Sequence, residues 1–158
     1  MKTFLSMCLL IVGMNTLVAQ TGSMDAYFQK YQDDNSFTVV SISASMFQVI
    51  SGMDIENIDP DVKAILDNIT GLKILTKESG GQPYYNEALT TITNQGLQEM
   101  MTIKEKGENV KIYGKSDGKE KLKEVVMLRG DTNNFVLMQI LGNLSIDQLT
   151  KLSNTLNK

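Results

Sequence analysis

Apolar residues recur along this chain with two different periods, and the change of period divides it. Met24, Tyr27, Phe28 and Tyr31 stand at helical spacing, with Ser23 placed to cap the first turn. Asp33-Asp34-Asn35 breaks that helix, and the β-branched run 37–42 reads as a strand. A second helix carries Met46, Phe47 and Ile50 and ends at Gly52. Asp59-Pro60 is an N-cap acid followed by proline at the first helical position, so a third helix starts there. Its stripe is Val62, Ile65, Leu66 and Ile69, closed by Gly71. A strand over 72–76, a loop at Gly80-Gly81-Gln82-Pro83, and a helix through Tyr85, Ala88, Leu89 and Ile92 complete the first half.

After that helix the period shortens. The runs 100–105, 110–115, 119–128 and 135–141 are strand-like, and each break between them holds glycine beside polar residues, as hairpins require. Ser145 and Gln148 form a capping box for a last helix with Ile146, Leu149, Leu152 and Leu156 on one face. The expected fold is α+β, a mostly antiparallel sheet whose C-terminal part is a four-stranded meander packed by helices.

The first 19 residues read differently from everything after them. Lys2, an apolar run from position 4 to 18 and a small residue at Ala19 make a signal peptide, leaving 20–158 as one α+β domain. The run is too short and interrupted for a membrane span, and no second one follows it, so an exported soluble protein of the periplasm or medium is expected. Cys8, the single cysteine, falls within the leader, so the remaining chain has neither Cys nor His. That excludes disulfide scaffolding, Ser-His and Cys-His catalysis, and histidine-bearing metal sites. It also leaves a single hydrophobic core to hold the fold.

The strand pattern of the meander carries a resemblance. The runs Glu108-Asn109-Val110-Lys111-Ile112-Tyr113 and Phe135-Val136-Leu137-Met138-Gln139-Ile140-Leu141-Gly142 resemble the family called domain of unknown function 4252. The resemblance implies a short exported protein of a Gram-negative envelope with a sheet-rich second half. It also implies a link to envelope regulation by extracytoplasmic sigma factors. It brings no catalytic residue with it. Relatives carry a lipoprotein cysteine, and this chain departs from that pattern because Cys8 lies inside the leader.

Simple structural roles account for the residues that could carry chemistry. The acidic run 54–61 fails the EF-hand template, with Ile58 at the fifth position, and Asp59 and Asp61 suit a helix start better than a calcium loop. Ser116 beside Lys115 and Ser153 near Lys151 lack the sharp turn of a nucleophile. Residues 104–129 hold eight basic against five acidic side chains, whereas 20–103 hold four against eleven. Lysines solvating a sheet account for that basic region, and export argues against nucleic acid. No catalytic residue, metal or cofactor is expected.

The last two strands carry the functional lead. Val136, Met138 and Ile140 oppose Phe135, Leu137 and Leu141, and Val125 and Met127 oppose Val126 and Leu128, so both faces of the sheet are apolar. Either helices cover both faces, or the second face is a methionine-rich surface for a partner, bordered by Tyr113 and Lys111. The expected partner surface is Tyr113, Val125, Met127, Val136, Met138 and Ile140. The expected function is non-enzymatic binding of another envelope protein. A small-ligand or polysaccharide binder using Tyr84 and Tyr85, and a carboxylate hydrolase, are the alternatives.

Overall fold

The computed structural model describes residues 22–53, 59–105, 108–116, 118 and 120–148. The expected leader with Cys8, most of the acidic run and the leucines 149, 152 and 156 lie outside the described residues. In chain order the elements are α1 (Asp25–Tyr31), β1 (Thr38–Ser43), α2 (Ala44–Gly52), α3 (Pro60–Leu66) and β2 (Ile69–Lys77). Then come α4 (Gln82–Asn94), β3 (Gln98–Glu105), β4 (Glu108–Ser116), β5 (Lys121–Gly130) and β6 (Phe135–Ser145).

All six strands form one antiparallel sheet in the order β1-β2-β6-β5-β4-β3. The α+β expectation and the C-terminal meander therefore hold. β6, the longest strand, runs between β2 and β5 and ties the meander to the β1-β2 pair.

One face is closed by α1 and α4. Met24, Tyr27, Phe28 and Tyr31 from the first helix and Tyr85, Ala88 and Ile92 from the fourth pack onto Leu75, Val126, Leu128, Phe135 and Leu137 of the sheet. Tyr31, Phe37 and Tyr84 form an aromatic knot, with Tyr84 edge-on to both other rings at 5.4 and 4.9 Å between centroids. Gly130 lies directly beneath Tyr85, where a β-carbon would stand 2.4 Å from the ring.

Two local expectations change. Ser23 does not cap α1: Met24 is the N-cap residue, and the Ser23 N–H donates instead to both carboxylate oxygens of Glu124, at 2.9 and 3.0 Å. The third helix stops at Leu66, and Ile69 and Gly71 belong to β2, because Asn143 and Gly142 of β6 close on the Asn68 carbonyl and draw the chain into the sheet. The Asp59 cap is as expected, its carboxylate accepting the Asp61 N–H at 2.8 Å. The capping box at Ser145 and Gln148 is also formed reciprocally.

Candidate functional site

The strand registers place the apolar residues of the second face in straight rows across the sheet. One row reads Val40, Ile74, Met138, Met127, Ile112 and Met101, running from edge to edge. The next reads Thr76, Val136, Arg129, Val110 and Ile103. The four central members of the first row are half-buried, and its two ends, Val40 and Met101, are exposed. The neighbouring helices, α2 against β1 and β2 and α3 against β5 and β6, lie toward the other end of the strands.

The same face is closed at its other end. Ile65 of α3 packs with Leu122, Val125 and Leu144, and Ile69, Ile112 and Ile140 lean on that cluster. Gly114 leaves room there for Met100, whose sulfur would lie 2.4 Å from a β-carbon at that position. A register shift between Glu99 and Met101 accompanies this arrangement.

The six candidate residues therefore separate into three groups. Met127, Val136 and Met138 lie side by side in the uncovered rows. Ile140 borders them, while Val125, at 6% exposure, is core beneath α3. Tyr113 is on the opposite face: it pairs with Val126, lies 4% exposed among the α4 contacts, and its hydroxyl faces Glu99 at 3.5 Å. Lys111 shares that face and donates to Glu99 at 2.8 Å. The period-2 rule explains the correction, since residues 111 and 113 have one parity and Ile112 the other. Ile112 and Val110 are the β4 members of the surface that sequence reading missed. The position of Ile112 opposite Met127 becomes visible only with the register.

Tyr85 is buried in the core and Tyr84 partly buried against it. Tyr84 belongs to the aromatic knot, and burial pushes the Tyr85 hydroxyl above its ordinary pKa. A cleft of about 460 Å³ lies between α2 and α3 and is lined by Phe47, Gln48, Ser51, Lys63 and Asp67. Its one carboxylate, Asp67, accepts a hydrogen bond from the Ser51 hydroxyl. Among the described residues no group of three or more acids, cysteines or histidines could hold a metal ion.

A polar pair lies within the covered face. Glu124 is 4% exposed and Gln139 1%, and Gln139 donates to Glu124 at 2.7 Å. With the Ser23 N–H they clamp the chain ahead of α1 onto the sheet, beside the Lys73–Asp25 ion pair at 2.7 Å. The amide oxygen of Gln139 finds no protein partner among the described residues. Strand alternation marks both residues as inward but cannot show that they meet.

No helix among the described residues is long and apolar enough to cross a membrane. The chain matches no curated protein and no solved structure. A family model matches residues 31–152, which takes in every strand and all helices but most of α1. The chain accordingly belongs to the family described as Domain of unknown function (DUF4252).

Proposed function

We propose that this chain is an exported, non-enzymatic binding module of the cell envelope. Its working surface is the uncovered half of the second sheet face, and its occupant is another envelope protein presenting aliphatic side chains. The observation that carries this reading is the unbroken apolar row from Val40 to Met101, half-buried at its centre although it crosses the middle of the sheet. Contiguous apolar surface of that kind marks interaction sites, and the flexible methionines at 127 and 138 adapt to irregular partners. The signal-like leader supports export, and the family match is compatible with a role defined by fold rather than by catalytic residues. The small-ligand alternative is less favoured, because Tyr85 is buried in the core and Tyr84 is engaged with Tyr31 and Phe37.

The test is crosslinking of the tagged protein in its native cells, with mass spectrometry of what is attached, for the unmodified chain and for Val136→Asp with Met138→Asp. A recurrent envelope protein that disappears in a folded double variant supports the reading. An unchanged attachment, or none in the unmodified chain, overturns it.

A further inference from the structure

The two edges of the sheet are built differently. β3 carries Glu99 and Lys104 and is broken by a register shift, devices that discourage strand addition. β1, Thr-Val-Val-Ser-Ile-Ser, has no charge, no proline and no bulge, and pairs with β2 residue for residue. It stands at the end of the strand order, and Val39 and Val40 are 36% and 39% exposed on opposite sides of it. Among the described residues nothing pairs with its outer side.

A second feature points to the same side of the molecule. α2 follows β1 directly and buries Phe47, while Ala44, Gln48, Ser51 and Gly52 line the cleft against α3. At about 100° per residue, Met46, Val49 and Met53, just past the helix end, fall together on the arc facing away from α3. Each is about half exposed. α3 itself packs over β5 and β6 through Ile65, so the direction away from it leads toward β1 and past the edge. An unguarded edge strand and an apolar helix stripe thus share one flank.

We propose that this flank is occupied by a second copy of the chain, with the two β1 strands paired antiparallel about a two-fold axis at Val40. That register sets Val40 opposite Val40, Thr38 opposite Ile42 and Val39 opposite Ser41. No charged residue meets another, and β-branched residues face each other at the centre, so the strand is complementary to itself. The parity keeps the second face of both copies on one side, and the apolar row of one copy continues into that of the other. Antiparallel pairing also brings each α2 stripe to the Thr38 end of the other β1. This inference goes beyond the partner reading and does not depend on it, because it uses an edge and a helix rather than the central rows.

The test uses the full chain carrying Cys8→Ser, which removes its one cysteine. Residues directly opposite in an antiparallel pair have Cα atoms about 4.5–5.5 Å apart, within disulfide range. Val40→Cys is expected to give a covalent dimer under mild oxidation, whereas Met101→Cys at the other edge stays monomeric. Val40→Lys sets two like charges at the axis and is expected to abolish the dimer seen by light scattering, with the circular dichroism of the folded chain unchanged and the thermal midpoint no longer rising with concentration. A Val40→Cys chain that remains monomeric at every concentration overturns the proposal. So does equal crosslinking from Met101→Cys, persistence of the dimer in Val40→Lys, or crosslinking in cells to a different protein, which would assign the edge to a foreign strand.

Discussion

The two faces of this sheet are made of nearly the same residues and end in different states. On the covered face Phe135, Leu137, Val126 and Leu128 are fully buried under α1 and α4. One position along the same strands, Val136, Met138 and Met127 are only half-buried. Composition does not separate the two faces, because both are aliphatic. What differs is how completely the helices close each face. The covered face receives aromatic side chains from two helices. The second face receives Ile65 of α3 at one end, where α2 lies beside α3 against β1 and β2, while Met127, Val136 and Met138 stay half-buried. A sheet face is therefore closed by what its connections deliver to it, and apolar residues left over define a surface.

The sharpest way to break that comparison is to put the same charge on adjacent residues of β6. Leu137→Asp buries a carboxylate with no partner, at a cost of several kcal/mol. Against a total stability of about 5–15 kcal/mol, that is expected to leave the chain largely unfolded by circular dichroism. Met138→Asp reaches solvent and is expected to cost about 1–2 kcal/mol in urea denaturation, with the fold retained. If both variants unfold, the second face is core and the surface reading fails.

The polar clamp tests the covered face from within. Glu124→Ala removes the acceptor of the Ser23 N–H and of the Gln139 amide, which become buried donors without partners. A loss of about 2–3 kcal/mol is expected. Protease sensitivity is expected to appear ahead of Asp25, because the clamp holds that segment to the sheet. Unchanged stability and unchanged cleavage would show that water replaces the carboxylate at no cost.

Glycines give a smaller version of the same contrast. Gly130→Ala on the covered face drives a methyl group into the Tyr85 ring, which is itself packed by the core. About 1–3 kcal/mol of destabilisation is expected. Gly114→Ala on the second face meets the end of the Met100 side chain, which is 44% exposed and can swing aside. The expected loss there is below about 1 kcal/mol. Equal losses in urea midpoints would mean that the second face is packed as firmly as the first.

Much of this architecture was legible in the residues. The spacing of Met24, Tyr27, Phe28 and Tyr31, the Asp59-Pro60 start and the glycine-bearing hairpins each reflect a local rule, and each is present in the fold. Alternation along β5 and β6 also gave the two apolar faces correctly. Three things were beyond local rules. Parity within β4 set Tyr113 against Val126, yet assigning it to a face needed the register with β5. The burial of Val125 depends on Ile65, about sixty residues earlier, and no periodicity reports that contact. Ile69 fits a helical stripe as well as a strand, and the pull of β6 on Asn68 decided the matter.

The smallest expected effect concerns how α1 is held to α4 at the rim of the covered face. Burial alone would raise the Glu87 carboxyl, but hydrogen bonds from Lys30 and the Tyr31 hydroxyl, both at 2.6 Å, outweigh it and hold the pKa below the ordinary 4.5. A carboxyl depressed in the folded state stabilises the fold fully above its unfolded value. That contribution fades as pH falls through the folded value. Thermal midpoints should therefore be flat in this respect above about pH 5 and decline in more acid solution, with part of the decline missing in Glu87→Gln. The pair is largely exposed, so the difference between the curves is expected to be a few degrees or less and to shrink in high salt. Identical acid limbs for the two proteins would mean that Glu87 adds nothing to the aromatic contacts of Tyr31 with Tyr27, Phe37 and Tyr84 at this rim. This rim of the covered face would then be held by packing, the interaction in which the half-buried rows of the second face are poorer.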